Sequence, residues 1–195
     1  MKAKKRQYEA PSVAVIEAEL KRVRYGERYR GVLKSTIYTL ITVAAVAVLV
    51  ATLWLPVLQI YGSSMTPTLQ DGEIVICVKS NELEAGEVLA FYYNNKILIK
   101  RVIAGPGDWV NLDEKGNVYV NDKLLDEPYL TEKALGDCDI ELPYQVPDAR
   151  VFVMGDHRST SVDSRNTTVG CVSEEQIVGR IVFRVWPFNV FGGIY

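Results

Sequence analysis

The sequence predicts a mainly β domain behind a single N-terminal transmembrane helix, with coiled antiparallel sheets folded as a sandwich or a partly open barrel. Two observations lead there. Residues 36–58, TIYTLITVAAVAVLVATLWLPVL, carry no charge over 23 positions. After residue 70 the chain breaks into short alternating segments separated by turn residues, the mark of strands rather than helices. Many short strands must cover or close their edges, which favours a sandwich or barrel.

The 195-residue chain is long enough for one domain with its own core plus an appendage. A net charge of −2 conceals an asymmetry: residues 1–35 hold ten Lys or Arg against four acids, and residues 36–195 hold twelve against twenty. The first 35 residues, with VAVIEAELKRVRYGERYRG at their centre, read as a solvated, basic topogenic tail rather than a surface helix. Residues 36–58 exceed the length of a cleaved secretory signal's apolar core, about 7–15 residues close to the N-terminus. As a helix they cross the roughly 30 Å hydrocarbon core of a bilayer. An uncleaved anchor follows. Basic residues beside a span stay in the cytoplasm, so residues 59–195 are expected outside, in a single-pass protein of the cell membrane. Trp54, near the outer end, suits the interface.

The strand segments are EIVICVKS (73–80), EVLAFYY (87–93), KILIKRVIAG (96–105), WVNL (109–112), VYVN (118–121), RVFVMGD (150–156) and IVGRIVFRVW (177–186). Asn94 and Asn95 fit a tight hairpin and EKGN a second, because Asn and Gly tolerate positive φ. The aromatics of WPFNVFGGIY dip into the membrane interface or pack in the core.

Three cysteines without CxxC spacing and a single His argue against zinc, and no nucleotide loop is visible, so neither metal nor cofactor is expected. Nor is nucleic acid an expected partner. An extracytoplasmic compartment permits one disulfide, and Cys138 with Cys171 is the pairing expected, since Cys77 lies in a strand pattern.

Three stretches carry candidate chemistry. In KILIKRVIAG a strand puts Leu98, Lys100 and Val102 on one face and Ile97, Ile99, Arg101 and Ile103 on the other. A lysine in apolar surroundings is pushed toward neutrality and becomes a competent base, although the strand alone better fits Lys100 or Arg101 snorkelling from a sheet edge. YGSSMTPTL (61–69) offers the hydroxyls of Ser63 and Ser64, in a composition that by itself reads as a turn. A serine needs a base to become a nucleophile. GDHRSTSVDSR (155–165) is either a solvated loop or a side-chain network, and a triad of serine, His157 and Asp163 or Asp156 is conceivable there.

Together these stretches resemble the type I signal peptidases, the leader peptidases of bacteria. SSMTPTL is similar to that family's nucleophile box, in which the serine before Met attacks, here Ser64. KRVIAGPGD is similar to the base box, whose first lysine is the general base, here Lys100. GDHRSTSVDSR resembles the third box, which implies that Ser161 hydrogen-bonds the lysine and that Asp163 pairs with Arg165, with Asp156 in the same network. VNDKLLDEPYL and RVWPFN resemble segments of Gram-positive members. His157 stands where the family usually has Asn. Gly62 replaces the serine with which many Gram-negative members bind the oxyanion, leaving that task to backbone N–H groups such as that of Ser64.

The resemblance implies a serine endopeptidase that removes signal peptides from secretory preproteins through an acyl-enzyme, with Ile60, Leu69 and Ile99 lining pockets for small side chains. Ser64 follows Leu58 by six residues, within about 20 Å of the span's end, matching a cleavage site just beyond a membrane-embedded signal. Two alternatives share parts of the pattern: self-cleaving serine–lysine proteases of the LexA type, and non-catalytic signal-peptidase-like chaperones of pilus assembly.

Overall fold

A computed structural model describes residues 12–80 and 83–194, without the side chains of residues 51–54. Expectations placed on residues 1–11, the Trp54 ring and Tyr195 lie outside the described residues.

Helix α1 runs Val13–Trp54, 42 residues between Pro11 and Pro56 with no proline inside. The hydroxyls of Thr39 and Thr42 donate to the Ser35 and Tyr38 carbonyls one turn back, so these two hydroxyls are satisfied within the helix. Among the described residues it is the one helix long and apolar enough to cross a bilayer. Two sequence expectations change here. Residues 13–35 are helical rather than an irregular tail, because nothing between Val13 and the apolar run breaks the helix. The helix also stops four residues short of the uncharged run's end at Leu58, because Pro56 cannot continue it and Val57–Gln59 already form strand β1.

The chain divides between Ala51 and Thr52, and the second unit is antiparallel β. Strands β2 (Ile74–Val78), β3 (Val88–Tyr93), β4 (Lys96–Ala104), β5 (Trp109–Leu112), β6 (Val118–Val120) and β7 (Lys123–Leu124) come first. Next are β8 (Tyr144–Gln145), β9 (Arg150–Met154), β10 (Val172–Ser173), β11 (Ile177–Trp186) and β12 (Gly192–Gly193). The larger sheet has the order β1-β2-β11-β3-β4-β9-β10, with β12 beside β11, and the smaller is β7-β6-β5-β8. All seven segments expected from alternation are strands. The short β1, β7, β8, β10 and β12 lack enough residues to show a period.

Both faces of the larger sheet are covered, and β3 shows it residue by residue. Val88 and Ala90 pack with Ile60, Met65, Leu69, Val75 and Cys77, whereas Leu89 and Phe91 pack with Val102, Val153 and Val172 on the other side. A third cluster, including Ile103, Val110, Val118, Phe152 and Met154, joins the smaller sheet to β4 and β9. Asn94 has φ +51° in the two-residue turn that sets Tyr93 opposite Lys96.

Strand β4 changes partners along its length. It pairs with β3 over Lys96–Arg101 and with β9 over Arg101–Ala104, so Lys96–Lys100 keep one free edge. After Met154 the chain leaves β9 as the loop 155–165, beside Lys100.

Cys138 and Cys171 are both free thiols, so the expected disulfide is not formed. Cys171 is committed to the Val110–Met154 cluster, and burial pushes both thiols above their ordinary range.

Candidate active site

Ser64 lies in the turn between β1 and β2, and Lys100 lies where β4 loses its second partner. The Lys100 Nζ donates to Ser64 Oγ at 2.8 Å. Lys100 is only 3% exposed. Burial pulls its pKa down to about 8; Asp163 and Asp156 oppose that fall and Arg165 adds to it. Leu98 and Val102 join one cluster and Ile99 another, as the alternation requires. Lys100 is therefore a buried amine rather than an edge cation that snorkels.

The turn holding Ser64 is tied down by its main chain. The Ser64 carbonyl accepts the His157 N–H at 3.0 Å, and the Gly62 N–H donates to Asp71 Oδ1 at 2.7 Å. Gly62 has φ +87°, so glycine is required there by the backbone. Its N–H is already engaged, whereas the N–H of Ser64 donates to no acceptor among the described residues. Ser63 is exposed.

Loop 155–165 is a network rather than a solvated loop. Asp163, fully buried, accepts both Arg165 Nε and Nη2 at 2.8 Å and the Gly155 N–H at 2.9 Å. Burial alone would raise the Asp163 pKa, but the Arg165 guanidinium holds it below the usual carboxylate range. Asp156 pairs with Arg101, whose Nε and Nη2 reach its two oxygens at 2.9 and 2.8 Å, while Thr68 of the nucleophile turn donates to the same carboxylate. Breaking such a pair leaves a buried charge without its partner. Asp163→Asn should lower unfolding stability by about 3–5 kcal/mol, measurable by urea titration.

Two expected contacts are absent. The Ser161 hydroxyl is buried and has no hydrogen-bond partner, so it does not bond Lys100. The His157 imidazole bonds neither Ser64 nor an aspartate, and its buried Nδ1 has no partner. A serine–histidine–aspartate triad is thus not assembled, and His157 acts here through its backbone.

A groove of about 610 Å³ ends at Ser64 and Lys100. Its walls are residues 57–62 with Met65 on one side and residues 95–99 on the other, which brings the outer strand β1 opposite the free edge of β4. Ile60 and Ile99 line it. Leu69 does not: it is wholly buried in the cluster under the turn, packed with Val75 and Cys77.

Several contributors escaped the sequence reading. Gly155 is one: a Cβ built there would lie 2.5 Å from the Ser64 carbonyl oxygen and 2.3 Å from Ser161 Oγ. Arg101, Thr68, Arg158 and Glu127 are others, all joined by long-range contacts that no spacing announces.

A serine hydroxyl hydrogen-bonded to a buried, partly neutralised amine at the end of an apolar groove is what a serine hydrolase with a lysine base requires. Similarity to known proteins identifies the family. Residues 33–186 match the family described as signal peptidase, peptidase S26. Signal peptidase IB of Staphylococcus aureus is 40% identical over 152 residues, 68% of this chain and 78% of the relative. Signal peptidase I of Bacillus licheniformis is 35% identical over 144 residues, 66% and 75% of the two chains. A crystal structure of a signal peptidase I from Enterococcus faecalis is 25% identical and aligns with a TM-score of 0.42, covering 51% of this chain and 96% of that one. The chain belongs to the peptidase S26 signal peptidases, which are serine endopeptidases.

Proposed function

We propose that Ser64 and Lys100 are the nucleophile and the general base with which this peptidase removes N-terminal signal peptides from exported preproteins. The observation that carries the assignment is the 2.8 Å contact between a buried Lys100 amine and Ser64 Oγ at the end of the groove. Neutral Lys100 takes the Ser64 proton as Oγ attacks the scissile carbonyl. The amine then protonates the leaving nitrogen, and the acyl-enzyme is hydrolysed by water that the same lysine activates. The free N–H of Ser64 faces the developing oxyanion. Gly62 contributes the left-handed turn rather than a donor, since Asp71 holds its N–H. Ser161, Asp163, Arg165 and Asp156 support the loop beside the amine.

The substrate lies extended in the groove and pairs its main chain with the free edges of β1 and β4. Alternate small side chains face Ile60 and Ile99, which fits an A-x-A-like cleavage site. The basic residues before the apolar part of α1 remain cytoplasmic, that apolar part anchors the chain in the bilayer, and the β unit is extracytoplasmic. Retention of both dyad side chains in contact disfavours a non-catalytic chaperone, and the apolar helix disfavours a soluble self-cleaving repressor.

Purified full-length chain in lipid vesicles, given a preprotein, should release a mature chain whose new N-terminus follows the A-x-A-like site. The base must be neutral, so kcat/KM should rise about tenfold per pH unit below about 8 and level off above it, because Lys100 deprotonates near there. An intact preprotein, or a rate independent of pH between about 6 and 9, would overturn the assignment.

A further inference from the structure

We propose that the connector from Glu127 to Gly136 is a positioning strap for the dyad, in which the Tyr129 ring fixes Arg101 and thereby locks the nucleophile turn and loop 155–165 against β4. The inference deepens the dyad assignment and rests on it.

Three buried arginines reach the connector from the site. Arg101, 1% exposed, lies with its guanidinium 4.0 Å from the Tyr129 ring centroid. Arg158 pairs with the buried Glu127, which also accepts the Tyr129 hydroxyl at 3.3 Å. Arg165 donates to the carbonyls of Ala134 and Leu135. The connector is seated closely at its far end as well. A Cβ at Gly136 would meet the Arg158 carbonyl oxygen at 2.5 Å, and one at Gly116 would meet the Ala134 backbone at 2.4 Å.

Arg101 is where the three catalytic stretches meet. It follows Lys100 on β4, grips Asp156 of the loop with two nitrogens, and donates to Thr68 of the nucleophile turn at 3.2 Å. Those contacts grip the guanidinium nitrogens, and its central carbon lies over the Tyr129 ring. Such a stack is strongest when desolvated, as here.

Lys100 feels the consequence. Its amine is faced by Asp163 and Asp156, which favour its charge, and by Arg165, which opposes it. If Arg101 loosens, Asp156 loses its partner and its full charge acts on the amine, so Lys100 deprotonates only at higher pH.

The test compares full-length wild type, Tyr129→Leu and Tyr129→Phe for preprotein cleavage across pH, with melting curves at each pH. Tyr129→Leu should lose about tenfold in kcat with KM within about twofold, and its acid limb should move up by roughly half a pH unit. Tyr129→Phe keeps the ring and should recover both the rate and the limb. An unmoved limb in Tyr129→Leu, a loss matching only the fall in folded protein, or no recovery in Tyr129→Phe overturns the strap. Lys100→Ala in parallel tests the dyad separately: its retention of activity would sink that assignment, whatever the Tyr129 variants do.

Discussion

Lys100→Met should abolish preprotein cleavage and at the same time raise the melting temperature at neutral pH. The loss follows from the dyad: without an amine nothing removes the Ser64 proton, and serine hydrolases stripped of their base fall by about 10⁴-fold or more. Ser64→Ala should fall as far, whereas His157→Ala should stay within a few-fold of wild type, because His157 holds the Ser64 carbonyl through its own N–H. The gain in stability follows from the lowered pKa. Lys100 is buried with its pKa brought down from 10.5 to about 8, so the folded state binds fewer protons than the unfolded state. Stability therefore rises with pH between about 8 and 10.5, and below that window the penalty is fully present, about 3 kcal/mol. Methionine fills similar space without a charge to desolvate. The melting curve of Lys100→Met should lie several degrees above wild type at pH 7 and converge with it near pH 10. A Lys100→Met protein that still cleaves, or one destabilised at pH 7 as much as at pH 10, would contradict this account of the amine.

The same physics explains what could be read from the chain and what could not. Alternation is local, so the seven expected strands were legible, and so were the apolar neighbours of Lys100, although only the resemblance chose a base over a snorkelling cation. The helix terminus was misplaced because apolarity says nothing of helix against strand: Val57 and Leu58 suit either, and Pro56 decides. Leu69 was misassigned for a related reason. An apolar residue near a nucleophile may belong to the wall of a groove or to the core beneath it, and only burial separates the two. Ile60 and Ile99 meet in the groove although 39 residues apart. The expected disulfide failed because compartment permits a bond without bringing two thiols together. Arg101 reads locally as the cation next to the base, yet its structural role is set by Asp156, 55 residues later.

Gly155→Ala should cost about 100-fold in kcat/KM, although its backbone lies in a region open to alanine. The reason is contact rather than conformation. The added methyl would stand 2.5 Å from the Ser64 carbonyl oxygen and 2.3 Å from Ser161 Oγ, where ordinary contacts begin near 3.4 Å. Something must move by about 1 Å. Loop 155–165 is the stiffer partner, since Gly155 donates to Asp163, whose carboxylate Arg165 grips twice, and its carbonyl accepts Arg158 Nε. The nucleophile turn therefore shifts, carrying Ser64 Oγ away from the Lys100 amine, and displacement on that scale costs such a dyad about two decades. Overpacking should also cost about 1–3 kcal/mol of stability, too little to unfold the domain by itself. A double variant separates the two collisions. Gly155→Ala with Ser161→Gly removes the clash with the serine side chain but leaves the one with the Ser64 carbonyl, so stability should partly return while activity stays low. Full recovery of activity in the double variant would show that Ser161, and not the position of the nucleophile turn, is what Gly155 protects.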